Sequence, residues 1–132
     1  MSYSYSGAMI GLIDETLANL PASIPSNQVD IPGNKFTTPD NGYWARLSFT
    51  TITSEQITPD WQRDEVIYAV DLFYPQDNGI IQQMNDAEAL RSLLQNKKLG
   101  DASAHKAIIN NLGNDGPWYH LQIQLTFTFE GQ

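Results

Sequence analysis

The clearest pattern along the chain is the alternation at its C-terminal end. Tyr119, Leu121, Ile123, Leu125, Phe127 and Phe129 alternate with His120, Gln122, Gln124, Thr126 and Thr128. A period of two over this length predicts a strand from Trp118 to Phe129 with one apolar face and one face of Gln and Thr. Two further strands read the same way. From Tyr43 to Ile52, Tyr43, Ala45, Leu47 and Phe49 alternate with Trp44, Arg46, Ser48 and Thr50. From Glu65 to Tyr74, Val66, Tyr68, Val70 and Leu72 alternate with Ile67, Ala69, Asp71 and Phe73. The last of these is apolar on both faces apart from Asp71, which predicts a central position in the sheet.

Two segments carry the helical period instead. Tyr5, Met9, Leu12, Ile13, Thr16, Leu17 and Leu20 recur at spacings of three and four, so residues 4–20 read as a helix. Ser4 or Ser6 supplies a cap and Pro21 a stop. Gly79 to Gln95 reads as a second helix, with Ile80, Ile81, Met84, Ala87, Leu90 and Leu94 inward and Asp86, Glu88 and Arg91 outward.

Between these elements the pattern weakens. Residues 21–42 hold Pro21, Pro25, Pro32, Gly33, Pro39 and Gly42, an ordered connector in which Gln28 to Ile31 is the only extended piece and suits an edge strand. Thr53 to Asp64 reads as a long polar loop presenting Ile57, Pro59 and Trp61. Lys97 to Leu112 is loose, with Ala107-Ile108-Ile109 as a small edge strand. Three triplets, Asp40-Asn41-Gly42, Asp77-Asn78-Gly79 and Asn114-Asp115-Gly116, supply turn residues that tolerate positive φ. The order helix, strands, helix, strand predicts an α+β domain over residues 1–132: a mainly antiparallel sheet of about four strands with two helices packed on one face. The opposite face is then left to solvent or to a neighbouring subunit.

Composition narrows the function classes. The chain has 132 residues, 7 Lys plus Arg against 15 Asp plus Glu, and a formal net charge of -8. Affinity for nucleic acid is built from Lys and Arg, so this balance argues against a protein that grips phosphates. The absence of cysteine removes disulfide, thiolate-metal and thiol chemistry. No apolar run reaches about 18 residues, so a spanning helix is not expected. The N-terminus has no basic segment ahead of an apolar one, so no secretory signal is expected either.

The search for catalytic patterns returns little. His105 and His120 have no helical spacing and no third nitrogen or thiolate to complete a zinc site, so solvated or interface roles suit them better. Nucleotide-cradling glycine loops and a Gly-x-Ser-x-Gly elbow are missing. Asp60, Asp64 and Glu65 around Trp61 and Arg63 have the charge to bind a divalent cation, but a solvated loop with a local ion pair is the better reading. Asp71 stands apart, because an uncompensated charge in an apolar strand is costly. A catalytic acid is one reading of it; the favoured one is that Arg46 on the neighbouring strand, or an exit to an intersubunit surface, answers that cost. No metal or cofactor is expected.

Taken in order, the pieces resemble one family. They are the helix ending near Pro21, the Pro-rich connector, Gly42-Tyr43-Trp44-Ala45-Arg46-Leu47, then Asp64-Glu65-Val66-Ile67-Tyr68-Ala69-Val70-Asp71-Leu72-Phe73-Tyr74-Pro75. The Asp-Asn-Gly turn into a helix with Ala87 and Leu90 follows, and the strand Trp118 to Phe129 closes the series. This arrangement resembles the tail terminator proteins of long-tailed bacteriophages over nearly the whole chain. Asp71 and Glu65 depart from that family, where smaller polar residues or Gly are usual, and Lys97 to Leu112 matches poorly.

The resemblance implies a non-enzymatic virion protein of the tail or neck, assembled in the host cytoplasm. It implies a ring homo-oligomer, typically a hexamer, that caps the tail tube, stops its polymerisation and docks the head-tail connector. DNA passes through the lumen without specific binding, and no membrane is involved. A globule of this length is about 36 Å across, and six in a ring leave a hole wide enough for duplex DNA. Candidate contacts to other subunits or to the tail tube protein are Trp44, Arg46, Trp61 and Arg63. Two other readings stay open: a small α+β cone that binds a ligand or isomerises one, with Asp71, Tyr68 and His120 around a cavity, and another neck protein for tail completion or head-tail joining.

Overall fold

A computed structural model describes residues 5–40, 42–76, 79–95, 98–99 and 102–131. In chain order the elements are α1 (Tyr5–Ala18), β1 (Val29–Asp30), β2 (Trp44–Thr58), β3 (Trp61–Pro75), α2 (Ile81–Leu94), β4 (Lys98–Leu99), β5 (Ala102–Ala104), β6 (Ile108–Asp115) and β7 (Trp118–Gly131). The seven strands form one mixed sheet, ordered β1-β2-β3-β7-β5-β4, with β6 also paired to β7. The expected sheet of about four strands in an α+β layer is therefore corrected to a mostly-sheet fold with two helices. Of the four strands beyond the long three, β1 and β6 fall on the edge pieces expected at Gln28 to Ile31 and Ala107 to Ile109, while β4 and β5 come from a segment without an alternating apolar face. β1, β5 and β6 are strands because β2 or β7 offers them a backbone partner, and β4 because β5 does, which a sequence pattern does not record. β1 makes the sheet mixed, since it runs parallel to β2 at Ala45 and Arg46.

The long antiparallel core is β2-β3-β7. β3 pairs with β7 without interruption from Gln62 to Pro75, so its alternation of faces is unbroken along that length. As expected from its two-sided apolar pattern, β3 is central, and every side chain from Val66 to Tyr74 except Ile67 is buried. One face carries Ala45, Leu47, Val66, Tyr68, Val70, Leu72, Leu121, Ile123, Leu125, Phe127 and Phe129 into a single core that also takes in Leu12 of α1 and Ala87, Leu90 and Leu94 of α2.

Thr53 to Asp64 is not a loop. β2 and β3 continue through it and are joined by the two residues Pro59-Asp60, with Thr58 opposite Trp61. Its Ser, Thr and Gln residues look like loop composition, but they belong to paired strands whose tips are exposed at Gln56, Ile57, Thr58, Trp61 and Gln62. Asp64, read as a solvated loop residue, is 6% exposed and accepts a hydrogen bond from Gln62 Nε2 at 3.3 Å.

The helices differ from expectation in detail. In α1 the expected stripe holds from Met9 onward: Leu12 and Thr16 are fully buried, and Met9, Ile13 and Leu17 pack against the core, while the side chain of Tyr5 lies outside what is described. Of its two candidate caps, Ser4 lies outside the described residues, and Ser6 falls inside the helix. In α2 the buried stripe is Gln83, Ala87, Leu90 and Leu94, whereas Ile81 is 78% exposed and Ile80 precedes the helix. Gln83 takes the inward place because its amide reaches backbone: Nε2 donates to Leu72 O at 3.0 Å and to Tyr119 O at 2.8 Å. Asp86, expected outward, is half-buried and accepts from Tyr74 Oη at 2.5 Å.

Among the turn triplets, Asn41, Asp77 and Asn78 lie outside the described residues. Gly116 takes φ +58 and, with Pro117, joins β6 to β7 by the shortest turn.

Candidate functional site

The sheet face away from the core holds the chemistry. Because Arg46 pairs with Asp71, Asp71 with Gln122 and Gln122 with Asn110, these four side chains form one row across β2, β3, β7 and β6. The row is joined from end to end. Asn110 Nδ2 donates to Gln122 Oε1 at 3.1 Å, and to Gln124 Oε1 at 2.8 Å. Gln122 Nε2 donates to Asp71 Oδ1 at 3.0 Å, and Arg46 Nε stands 3.5 Å from Asp71 Oδ2. Asp71 is 1% exposed, so these donors answer the cost of burying its carboxylate.

One step along the sheet lies an aromatic stack. Phe73 is sandwiched by Trp44 at 4.0 Å and His120 at 4.3 Å, with Trp118 edge-on and Phe36 of the connector over Trp44 at 5.5 Å. The Arg46 guanidinium sits 5.3 Å from the Phe73 ring centre. His120 ties stack to row, with Nε2 2.6 Å from Asp71 Oδ1. An ionised carboxylate only accepts, so that nitrogen carries the proton between them. The Trp44 indole N–H is buried and has no partner, whereas that of Trp118 donates to Gly42 O at 2.9 Å.

All four expected contact residues lie on this face. Trp44 and Arg46 are opposite Phe73 and Asp71, and the unbroken alternation of β3 puts Trp61 and Arg63 on the same side. They do not form one patch. Trp61 is 12 residues from Phe73 along the strand, about 40 Å at the usual strand rise. Trp61 is 40% exposed near the β2–β3 turn, while Trp44 is buried in the stack.

Other expected groupings are separated. Tyr68 lies on the core face, where its hydroxyl meets Thr16 Oγ1 at 2.7 Å, and Asp71 and His120 lie on the opposite face, so the three do not line one cavity. Burial is the main cause that pushes the Tyr68 hydroxyl well above its ordinary pKa. His105 is exposed, with its ring Nε2 2.9 Å from Thr128 Oγ1 and its backbone N–H donating to Thr126 O at 3.0 Å. Among the described residues no three His, Cys, Asp or Glu side chains gather as a metal site, and no helix is long and apolar enough to cross a membrane.

Sequence reasoning missed Gln122, Asn110, Gln124 and Phe36. The uncharged polar face of β7 signalled the glutamines, but the register that sets them beside Asp71 is a tertiary fact.

No family model matches the sequence, and no curated protein does. One solved structure, of a protein identified only by a sequence label, is similar with a TM-score of 0.61 and 17% identity, over 94% of this chain and 91% of that one. At that identity the likeness is one of fold.

Proposed function

We propose that this chain is a structural subunit of a phage tail terminator ring, which caps the tail tube, stops its growth and gives the head-tail connector a surface. The sequence resemblance runs over nearly the whole chain. The observation that carries the reading is the face away from the core, which bears Arg46, Trp61 and Arg63 along the length of β2 and β3, with Trp44 buried in the aromatic stack that stiffens it. Cross-linked by the row from Arg46 to Asn110, it is a stiff surface suited to contact rather than to enclosing a small molecule. Subunits that carry a net charge of -8 each would also line a lumen from which DNA is repelled and through which it slides.

The test is the assembly state. Light scattering and negative-stain electron microscopy of the purified protein, alone and with tail tube protein, are expected to show closed rings. A single-copy mass under every condition, with tube protein present, would sink the reading.

A further inference from the structure

The sheet ends in two unlike open edges. Beyond Arg46, no strand among the described residues pairs with the outer side of β2, so Leu47 to Thr58 is an open edge. On the other side, β6 pairs with β7 alone, and the outer side of Ile108 to Asp115 is open. Exposed edges recruit other strands, and proteins that must stay apart protect them with Lys, Pro or inward charges. Neither stretch contains a Lys or a Pro, and between them they hold only Glu55 and Asp115 as charged residues.

Bulges are another common protection, and among the described residues there are three. Each skips one residue: Ile52 and Ile57 on β2, and Leu112 on β6. All three are exposed aliphatic side chains, at 47%, 46% and 52%. A bulge that served only to spoil pairing has no need of an Ile or Leu at its crest.

We infer that the two edges pair with each other between copies. The bulge-free stretch Leu47–Thr51 of one copy lies antiparallel against Ile108–Asn111 of the next, with Ile52 and Leu112 packing at its ends. Faces stay in register across the joint. Leu47 and Phe49 share the core side with Ile109, and Ser48 and Thr50 share the other side with Ile108 and Asn110. Charge also selects this contact. A second copy brings another -8, so it approaches best through the near-neutral edges. Because the edges differ, pairing is head to tail and either closes into a ring or runs on as a filament. The inference rests on the ring reading above and names the surface that makes the ring.

The experiment uses Ile52→Asp to block the β2 edge, Ile108→Asp to block the β6 edge, and Ile81→Asp on the exposed start of α2 as a charge-matched control. Circular dichroism checks folding, and light scattering gives mass. The expected result is a multi-copy wild type and control, two single-copy edge variants, and a two-copy species when the edge variants are mixed, since each retains the edge the other lacks. Multi-copy rings in both edge variants would overturn edge pairing and leave the ring reading intact. Open chains that the edge variants dissolve would support edge pairing and overturn the ring. A mixture that stays single-copy overturns head-to-tail pairing, and a wild type that stays single-copy even with tail tube protein present overturns both.

Discussion

His120 and Asp71 meet across the β3–β7 pair, with Nε2 2.6 Å from Oδ1, while the His120 ring stacks 4.3 Å from Phe73. One side chain therefore serves both the polar row and the aromatic stack on the outer face. His120→Leu keeps apolar contact with Phe73 but removes a donor from a buried carboxylate. His120→Gln keeps a donor and loses most of the stack. The leucine variant is expected to lose about 1–3 kcal/mol, the cost of a buried polar group left short of a partner. The glutamine variant should lose less, and urea unfolding of the two gives the order directly.

The core face has a matching relation between α1 and β3. Thr16 Oγ1 donates its only proton to Leu12 O at 2.8 Å, so at the 2.7 Å contact with Tyr68 it accepts and Tyr68 donates. Thr16→Val strands a buried phenol hydroxyl and is expected to cost about 1–3 kcal/mol. Tyr68→Phe leaves the Thr16 bond to Leu12 intact and should cost less. The double variant should cost less than the sum, by an amount that a double-mutant cycle on unfolding free energies measures.

These two contacts show what the sequence made legible. Thr16 on the buried stripe of α1, and Tyr68, Asp71 and His120 on opposite faces of their strands, all follow from periodicity alone. That Arg46 stands near Asp71 was expected from charge. Periodicity does not say which residue of β7 lies opposite Asp71, because register is settled by contacts far apart in the chain. The far halves of β2 and β3 read as loop for a related reason: with Ser, Thr and Gln on both faces, no apolar alternation marks them. Gln83 was hidden because its inward place depends on two carbonyls of other strands.

Stability should fall at high pH through two tyrosines. Burial raises the Tyr68 hydroxyl, and burial followed by the Asp86 carboxylate raises that of Tyr74, both from an ordinary value of 10. A group whose pKa is higher in the fold holds its proton there while the unfolded chain loses it. The contribution is complete below pH 10 and is lost as pH rises toward the folded values. Thermal midpoints are therefore expected to drop above pH 10 together with the rise of tyrosinate absorbance, and Tyr68→Phe should show a shallower drop.

Gln83 offers a test with the opposite pH sense. Its Nε2 bridges carbonyls on β3 and β7, while Oε1 is buried without a partner, so donation is what the position requires. Gln83→Glu is nearly the same shape but sets carboxylate oxygens against the oxygens of Leu72 and Tyr119. Ionised, it repels them; protonated, it has one hydrogen to donate. The variant is thus expected to be destabilised at neutral pH by more than Gln83→Leu, which leaves the carbonyls unsatisfied but adds no charge, at about 1–3 kcal/mol. For the glutamate the folded state favours the protonated form, so its pKa is raised there. The deficit should then be small below the unfolded glutamate value of about 4.3 and grow as pH rises past it. Urea midpoints of both variants, each measured against wild type at the same pH, should cross on acidification. Parallel curves would mean that Gln83 acts by shape and not by donating to the two strands.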